Sequence, residues 1–253
     1  MIGPTNGSVL GIHVTVTDYE SLVPRILQLA ATTEVTTVAA ANTHLIASAR
    51  ESTQFTEALT SFDIIVPDGM PLVWALQLNG HSITDRVYGP YLMRETIKKS
   101  PPDVKHFFFG GTTECLQHLR ISAIQLNPHI NICGAVSPPF QRWSQEEESR
   151  LIDDINTSDA QCIWVALGGV RQENWIAANR HRFKKGVFLA VGDAFVLLAG
   201  LRAFAPGWMQ RRGLTWLYRL YQEPRRMFKR YVTYNTRFVA AFLAERWRMT
   251  WGK

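Results

Sequence analysis

The sequence predicts an α/β protein with a mainly parallel sheet flanked by helices and a helical C-terminal appendage. Short apolar runs alternate with amphipathic stretches over the first 200 residues. Several runs, such as residues 162–167, are continuously apolar instead of alternating. Continuous runs are typical of strands that helices cover on both faces. The last fifth of the chain differs in composition, which predicts the appendage.

Each strand is predicted from one apolar run, and each helix from an amphipathic stretch between two runs. The predicted strands cover residues 9–14, 35–41, 63–66, 106–110, 130–134, 162–167 and 187–191. The predicted helices cover residues 19–31, 72–78, 113–126, 145–155 and 172–183. Because parallel strands need crossover connections, this alternation favours parallel pairing.

Breaks in the pattern predict two parts, an α/β core over residues 1–204 and an appendage over residues 205–253. Pro206-Gly207 predicts a chain break, and Glu223-Pro224 predicts the start of a second helix. The 253 residues are 46% hydrophobic, enough for a sizeable core. Three cysteines without CxxC spacing predict neither a disulfide framework nor a zinc site and fit a reducing cytoplasm.

The charge of the chain is concentrated at its C-terminus. The net charge is +6, but residues 202–253 carry 12 Lys/Arg and two Asp/Glu, whereas residues 1–201 carry a charge of −4. The same segment holds four of the eight tryptophans. A basic, aromatic helix suits an anionic membrane surface. Nucleic acid binding and a basic helix packed on the core are the alternatives; we expect the membrane and no nucleic acid.

No segment predicts a membrane span. The N-terminus lacks the basic-then-apolar pattern of a signal peptide. The most apolar stretch, residues 187–200, is too short to cross a bilayer. We therefore expect a protein that is soluble or peripheral.

Four loops that follow predicted strands are candidates for the functional site, because ligands of open α/β sheets bind beyond the carboxyl ends of the strands. They are residues 42–44, 67–69, 110–113 and 168–172. Two contain Gly-Gly pairs, which let a ligand approach the backbone. Asp68 offers a carboxylate that could act as a base. An ordinary Asp-Gly turn is the alternative for Asp68, and helix capping is the alternative for Asn42.

Common catalytic signatures are absent from the sequence. It contains no GxGxxG, GxxxxGK[ST], HExxH, GxSxG or DxD motif. Many enzymes that use nucleotide sugars bind a metal ion through a DxD pair, so without one we expect no metal and no cofactor. If the diphosphate of a nucleotide leaves without a metal, cationic side chains must neutralise its charge, and the C-terminal arginines could supply them.

Several motifs, in order along the chain, resemble the WecG/TagA/CpsF family of bacterial glycosyltransferases. They are Asn42-Thr43-His44-Leu45, residues 58–70 with Val66-Pro67-Asp68-Gly69, Asp85-Arg86-Val87-Tyr88-Gly89, Phe109-Gly110-Gly111, residues 167–175, Gly192-Asp193-Ala194-Phe195, residues 205–210, residues 213–219 and residues 222–226. The resemblance covers essentially the whole chain.

The resemblance implies an inverting, metal-independent transfer of a sugar from a UDP-sugar to a polyprenyl-diphosphate-linked sugar in bacterial surface polysaccharide biosynthesis. It also implies a Rossmann-like core and an appendage that closes over the site at the cytoplasmic face of the cell membrane. The alternative is a non-catalytic nucleotide-sugar-binding protein on the same fold.

The resemblance places the catalytic base at Asp68. Together with the strand-end loops it predicts a substrate-binding set: Asn42, Thr43, Arg86, Gly110, Gly111, Gly168, Gln172, Asp193, Arg219, Arg226, Lys229 and Arg230. The sequence departs from the family pattern at Ala40, where Thr is usual, at Val196, where Asp is usual, and at Pro90-Tyr91. These departures predict a shift in specificity, and Ala40 and Val196 are also what favours the non-catalytic alternative.

Overall fold

The computed structural model describes residues 5–139 and 143–251. Its eight strands form an antiparallel hairpin and one six-stranded parallel sheet in the order β4-β3-β8-β7-β5-β6. The strands are β1 (Thr5–Val9), β2 (Ile12–Val16), β3 (Val35–Ala41), β4 (Ile64–Pro67), β5 (Lys105–Gly110), β6 (Asn131–Val136), β7 (Cys162–Ala166) and β8 (Gly186–Ala190). The predicted α/β class with a parallel sheet is confirmed.

Helices connect the parallel strands and form the C-terminal region. Within the described ranges they are α1 (Tyr19–Ala30), α2 (Thr43–Glu51), α3 (Thr53–Thr60), α4 (Met70–Leu78), α5 (Gly89–Lys99), α6 (Thr113–Leu126), α7 (Gln145–Thr157), α8 (Arg171–Asn179), α9 (Ala194–Leu198), α10 (Gly207–Arg211), α11 (Thr215–Gln222) and α12 (Pro224–Trp251). The predicted helical appendage thus consists of α10 to α12.

Three details of the sequence prediction were wrong. Residues 9–14 are not one strand but span a hairpin turn, with Leu10 at φ 53° and Gly11 at φ 83°. The helical pattern of residues 172–183 ends at Asn179 and continues as a 3₁₀ turn, Arg180–Arg182. The pattern also missed α2, α3 and α5, whose apolar residues are interrupted by polar ones.

The continuous apolar runs arise because both faces of the sheet are covered. In β5, Phe107 and Phe109 pack in one hydrophobic cluster, and Phe108 between them packs in the other. Trp164 and Phe188 of β7 and β8 are likewise fully buried on opposite faces. Alternate side chains of a strand point to opposite faces, so a strand buried on both sides must be apolar throughout.

The C-terminal helix α12 lies against α2 of the core. Met227, Phe238 and Phe242 of α12 are buried, whereas most of its other side chains are half-buried or exposed. Asn235 accepts a hydrogen bond from the Thr43 hydroxyl at 2.6 Å. This docking places α12 beside the carboxyl ends of the strands.

A buried histidine predicts how stability depends on pH. Trp164 Nε1 donates to His106 Nδ1 at 3.0 Å, so His106 Nε2 carries the proton and donates to Ser100 Oγ at 2.7 Å. Burial lowers the pKa of His106 to about 4. The unfolded chain therefore takes up a proton first, and the free energy of unfolding falls from about pH 6.5 down to about pH 4. His106 contributes about 3 kcal/mol to this fall.

Urea unfolding at pH 7.5 and pH 4.5 measures this effect. We expect His106→Asn to be less stable at pH 7.5 but to lose less stability on acidification than the wild type. The matched control is a substitution of the exposed His118 to Asn. An equal loss in wild type and His106→Asn would contradict the assignment.

Candidate active site

Four adjacent strands bring the candidate residues together. Strands β4, β3, β8 and β7 are neighbours in the sheet, and their carboxyl ends lead to Asp68, Asn42, Asp193 and Gln172 in that order. The site therefore lies at the edge of the sheet where ligands of such folds bind.

Two cavities meet at this edge. The first, which we call the aromatic cavity, has a volume of about 370 Å³ and lies between the core and α11–α12. It is lined by Asn42, Thr43, His44, Asp68, Gly69, Met70, Pro71, Trp74, Arg86, Tyr88, Gly213, Thr215, Trp216, Arg219, Met227, Arg230, Tyr231, Tyr234, Asn235, Phe238 and Val239.

The second, which we call the polar cavity, is smaller, about 70 Å³, and lies over the ends of β3, β8 and β7. It is lined by Ala40, Asn42, Leu45, Asp68, Tyr88, Pro90, Gly168, Gly169, Gln172, Glu173, Val191, Gly192, Asp193, Arg219, Arg226 and Arg230. Five residues line both cavities: Asn42, Asp68, Tyr88, Arg219 and Arg230. Asp68 therefore stands where the two cavities meet.

The Asp68 carboxylate is held in place by the backbone. Its own N–H donates to the Ala41 carbonyl at 2.7 Å, and its Oδ1 accepts from the Gly89 N–H at 2.7 Å. Burial raises the pKa of Asp68, against the opposing effects of the Gly89 N–H and of the Arg86 and Arg219 charges. A fixed carboxylate with a raised pKa is suited to take a proton from a substrate hydroxyl.

Asn42 combines the two roles that the sequence left open. It is the N-cap of α2, and its Oδ1 accepts from the N–H groups of His44 and Leu45. Its side chain also lines both cavities and acts to lower the pKa of Asp68. Capping thus fixes the amide next to the candidate base.

The appendage closes over the site through specific contacts. Arg86 donates to the Thr215 hydroxyl at 2.6 Å. Arg230 contacts His44 Nδ1 at 3.2 Å. Burial, assisted by the Arg230 charge, lowers the pKa of His44 to about 4, so the neutral ring accepts the hydrogen bond from Arg230. These contacts keep α11 and α12 above the ends of β3 and β4.

An ionic cluster joins the polar cavity to the appendage. Asp193 pairs with Arg202 at 3.2 Å and with Arg219, and Arg202 also pairs with Glu223. The side chains of Arg202 and Arg219 are 14% and 19% exposed. Asp193 was predicted to bind substrate; in the structure its carboxylate holds Arg219 at the junction of the cavities.

The structure brings most of the predicted set together but not all of it. Gly110, Gly111 and Lys229 are not among the described residues that line either cavity. Gly110, at φ 120°, lies so close to the Ala166 carbonyl that a Cβ would be 2.3 Å from it. Gly110 thus permits close packing of β5 against β7. Lys229 is exposed.

Several cavity residues were missed by the sequence analysis. Trp74 is 53% exposed and lines the aromatic cavity. Tyr88 lies in the same motif as Arg86, and Glu173 directly follows Gln172. Their positions near predicted site residues could have indicated them. Tyr231 and Asn235 follow Met227 at intervals of four, the spacing of one helix face.

This arrangement is suited to a group-transfer enzyme. A fixed carboxylate lies where two cavities meet, and the arginines that line both cavities can neutralise an anionic leaving group. The sequence profile of the glycosyl transferase WecG/TagA/CpsF family matches residues 7–251. The chain therefore belongs to this family of glycosyltransferases.

Three relatives carry the name N-acetylglucosaminyldiphosphoundecaprenol N-acetyl-beta-D-mannosaminyltransferase. The protein of Bacillus spizizenii is 29% identical over 190 residues, 75% of this chain and 72% of the relative. That of Bacillus subtilis is 26% identical over 74% of this chain and 72% of the relative. That of Staphylococcus aureus strain MW2 is 24% identical over 75% of this chain and 73% of the relative.

Proposed function

We propose that this glycosyltransferase moves a sugar from a UDP-sugar to a polyprenyl-diphosphate-linked sugar, with Asp68 as the base. The position of Asp68 at the meeting point of a polar and an aromatic cavity carries the proposal. The names of the relatives support a lipid-linked N-acetylglucosamine diphosphate as acceptor and N-acetylmannosamine as the first donor sugar to test.

Part of the donor would occupy the polar cavity, whose volume of about 70 Å³ is smaller than a whole UDP-sugar. Strand-end loops and the arginines of α11 and α12 surround it, and guanidinium groups bind diphosphate oxygens through paired hydrogen bonds. Arg219 and Arg230 are half-buried at the junction, where a leaving UDP would carry its negative charge. Their charge would stabilise the departing diphosphate without a metal.

The acceptor would enter through the aromatic cavity. Its walls are Met70, Trp74, Trp216 and Phe238, among other apolar and aromatic residues, and suit the first units of a polyprenyl chain. An acceptor sugar at the junction would place its hydroxyl beside Asp68. The carboxylate would accept the proton as the hydroxyl oxygen attacks the anomeric carbon and UDP departs.

Release of UDP on addition of a short-chain polyprenyl-diphosphate N-acetylglucosamine tests the proposal. We expect release that depends on both UDP-N-acetylmannosamine and the acceptor and persists in EDTA. Turnover that stops in EDTA would contradict the metal-independent mechanism. Failure of a panel of UDP-sugars to bind or react would contradict the assignment of the donor.

We also propose that residues 205–253 associate with the inner face of the cell membrane and complete the site. Among the described residues, no helix is long and apolar enough to cross a bilayer. Helix α12 carries an exposed apolar stripe whose members are spaced by four or seven residues: Phe228, Val232, Val239, Leu243 and Trp247. Val239 also lines the aromatic cavity, so the stripe borders the proposed entrance for the lipid.

Sedimentation with anionic phospholipid vesicles tests this surface. We expect Phe228→Ser combined with Trp247→Ser to weaken vesicle binding about tenfold or more, because two large apolar side chains leave the interface. The matched control, Ile121→Ser with Ile124→Ser, removes exposed apolar residues of α6 instead. Equal binding by both double variants would contradict the proposed surface, as would binding to oligonucleotides but not to vesicles.

A further inference from the structure

A carboxylate next to the predicted site residue Gln172 is fully buried and lies in the wall of the polar cavity. Glu173 has no solvent exposure. Its two oxygens have different partners: Oε2 accepts from the Val170 N–H at 2.6 Å, and Oε1 accepts from Gln172 Nε2 at 2.8 Å. Burial raises the pKa of Glu173 to about 7.

The Gln172 amide is left with one free polar atom. Gln172 is 4% exposed and lines the polar cavity. Its Nε2 is held by Glu173, and its Oε1 has no hydrogen-bond partner within the described part of the chain. A buried acceptor without a partner is costly unless a ligand supplies the donor. When Glu173 is ionised, the opposite orientation of the amide would place Oε1 against the Glu173 oxygen, where two acceptors repel.

We propose that Glu173 is a positioning residue that fixes the Gln172 amide so that its carbonyl oxygen accepts a hydrogen bond from the nucleotide-sugar. This inference rests on the proposed function, since it concerns the donor in the polar cavity. The ligand group is an O–H of the sugar or an N–H or O–H of the nucleoside. Glu173 thereby determines whether the Gln172 amide presents a hydrogen-bond acceptor or a donor to the cavity.

The loop before Gln172 explains why a carboxylate is needed at position 173. Val170 has φ 72°, a left-handed conformation that is strained for a β-branched residue. The Glu173 Oε2 contact satisfies the N–H of this strained residue while Oε1 satisfies Gln172. A glutamine at position 173 has one acceptor oxygen in place of two, so it cannot present an acceptor at both of these positions. If it keeps Val170, its NH₂ group faces Gln172 and reverses the orientation of that amide.

A double-mutant cycle tests the proposal. The variants are Glu173→Gln, Gln172→Ala and both together, and isothermal titration calorimetry measures the affinity for UDP and for UDP-N-acetylmannosamine. We expect Glu173→Gln to weaken donor binding by about 10- to 100-fold, because a donor replaces an acceptor in the cavity wall. In the Gln172→Ala background the same change should have little further effect. Weakening for the UDP-sugar alone would place the ligand group on the sugar, and weakening for both would place it on the nucleoside.

A second variant separates positioning from a purely structural role. Val170→Gly removes the strain of the turn but leaves the Gln172 amide misoriented. We expect Glu173→Gln alone to lower both the unfolding temperature and the donor affinity. Adding Val170→Gly should restore the unfolding temperature but not the donor affinity. Recovery of affinity, or additive losses in the double-mutant cycle, would overturn the inference while leaving the proposed function intact. Absence of binding by the wild type would overturn both.

Discussion

Asp68→Asn is expected to lower kcat about 10²- to 10⁴-fold, the usual contribution of a general base. Asparagine preserves the shape of the side chain, and its Oδ1 can still accept from the Gly89 N–H. It cannot take up the acceptor proton. The affinity for UDP should therefore change little. UDP release and calorimetry measure the two quantities, and Asp154→Asn, at an exposed position on α7, is the matched control.

The raised pKa of Asp68 adds two expectations. Because the base must be ionised, kcat/KM should fall as the pH drops through the raised pKa, at a higher pH than for an ordinary carboxylate. A folded-state pKa above the unfolded value also means that ionised Asp68 costs stability at neutral pH. Asp68→Asn should thus unfold at the same or a higher temperature. Wild-type turnover in Asp68→Asn would contradict the assignment of the base.

Arg219→Ala is expected to lower kcat/KM about 100-fold. Arg219 lines both cavities, and hydrogen bonds to a charged group contribute about 1.5–3 kcal/mol each. The substitution removes a cation that would face the leaving diphosphate and leaves Asp193 without one of its two arginines. Steady-state kinetics with varied UDP-sugar measures the effect.

Two further substitutions isolate the role of Arg219. Arg237→Ala removes a 53% exposed arginine that pairs with Glu51 on the outside of α2 and should change kcat/KM by less than about fivefold. Arg219→Lys keeps the charge but not the planar fork and should recover part of the loss. A loss in Arg237→Ala as large as that in Arg219→Ala would show that the effect is a general consequence of lower charge.

The elements of the core could be predicted because their local signals agree with the fold. Strand β3 and helix α6 have the predicted bounds, since each follows an unbroken apolar or amphipathic pattern. The hairpin could not be separated from one strand, because the turn at Leu10-Gly11 lies inside an apolar run. Helix α2 was missed because its nine residues include both buried and polar positions.

The site could be predicted in part because strand ends are visible in a sequence, whereas strand order is not. Asp68, Asn42 and Gln172 follow β4, β3 and β7, which together with β8 form four adjacent strands. Gly110 ends β5, which lies one strand beyond β7, so the loop after it falls outside the cavities. Contacts such as Thr43 with Asn235 join residues 192 positions apart, and no local pattern indicates them.

The configuration of the product tests the central claim most directly. If Asp68 activates the acceptor hydroxyl for a single displacement, an α-linked UDP-sugar must give a β-linked product. The one-bond C1–H1 coupling, measured by NMR on the disaccharide released from the lipid product, distinguishes the two anomers. We expect only the β-anomer. An α-linked product would contradict the single displacement and with it the role assigned to Asp68.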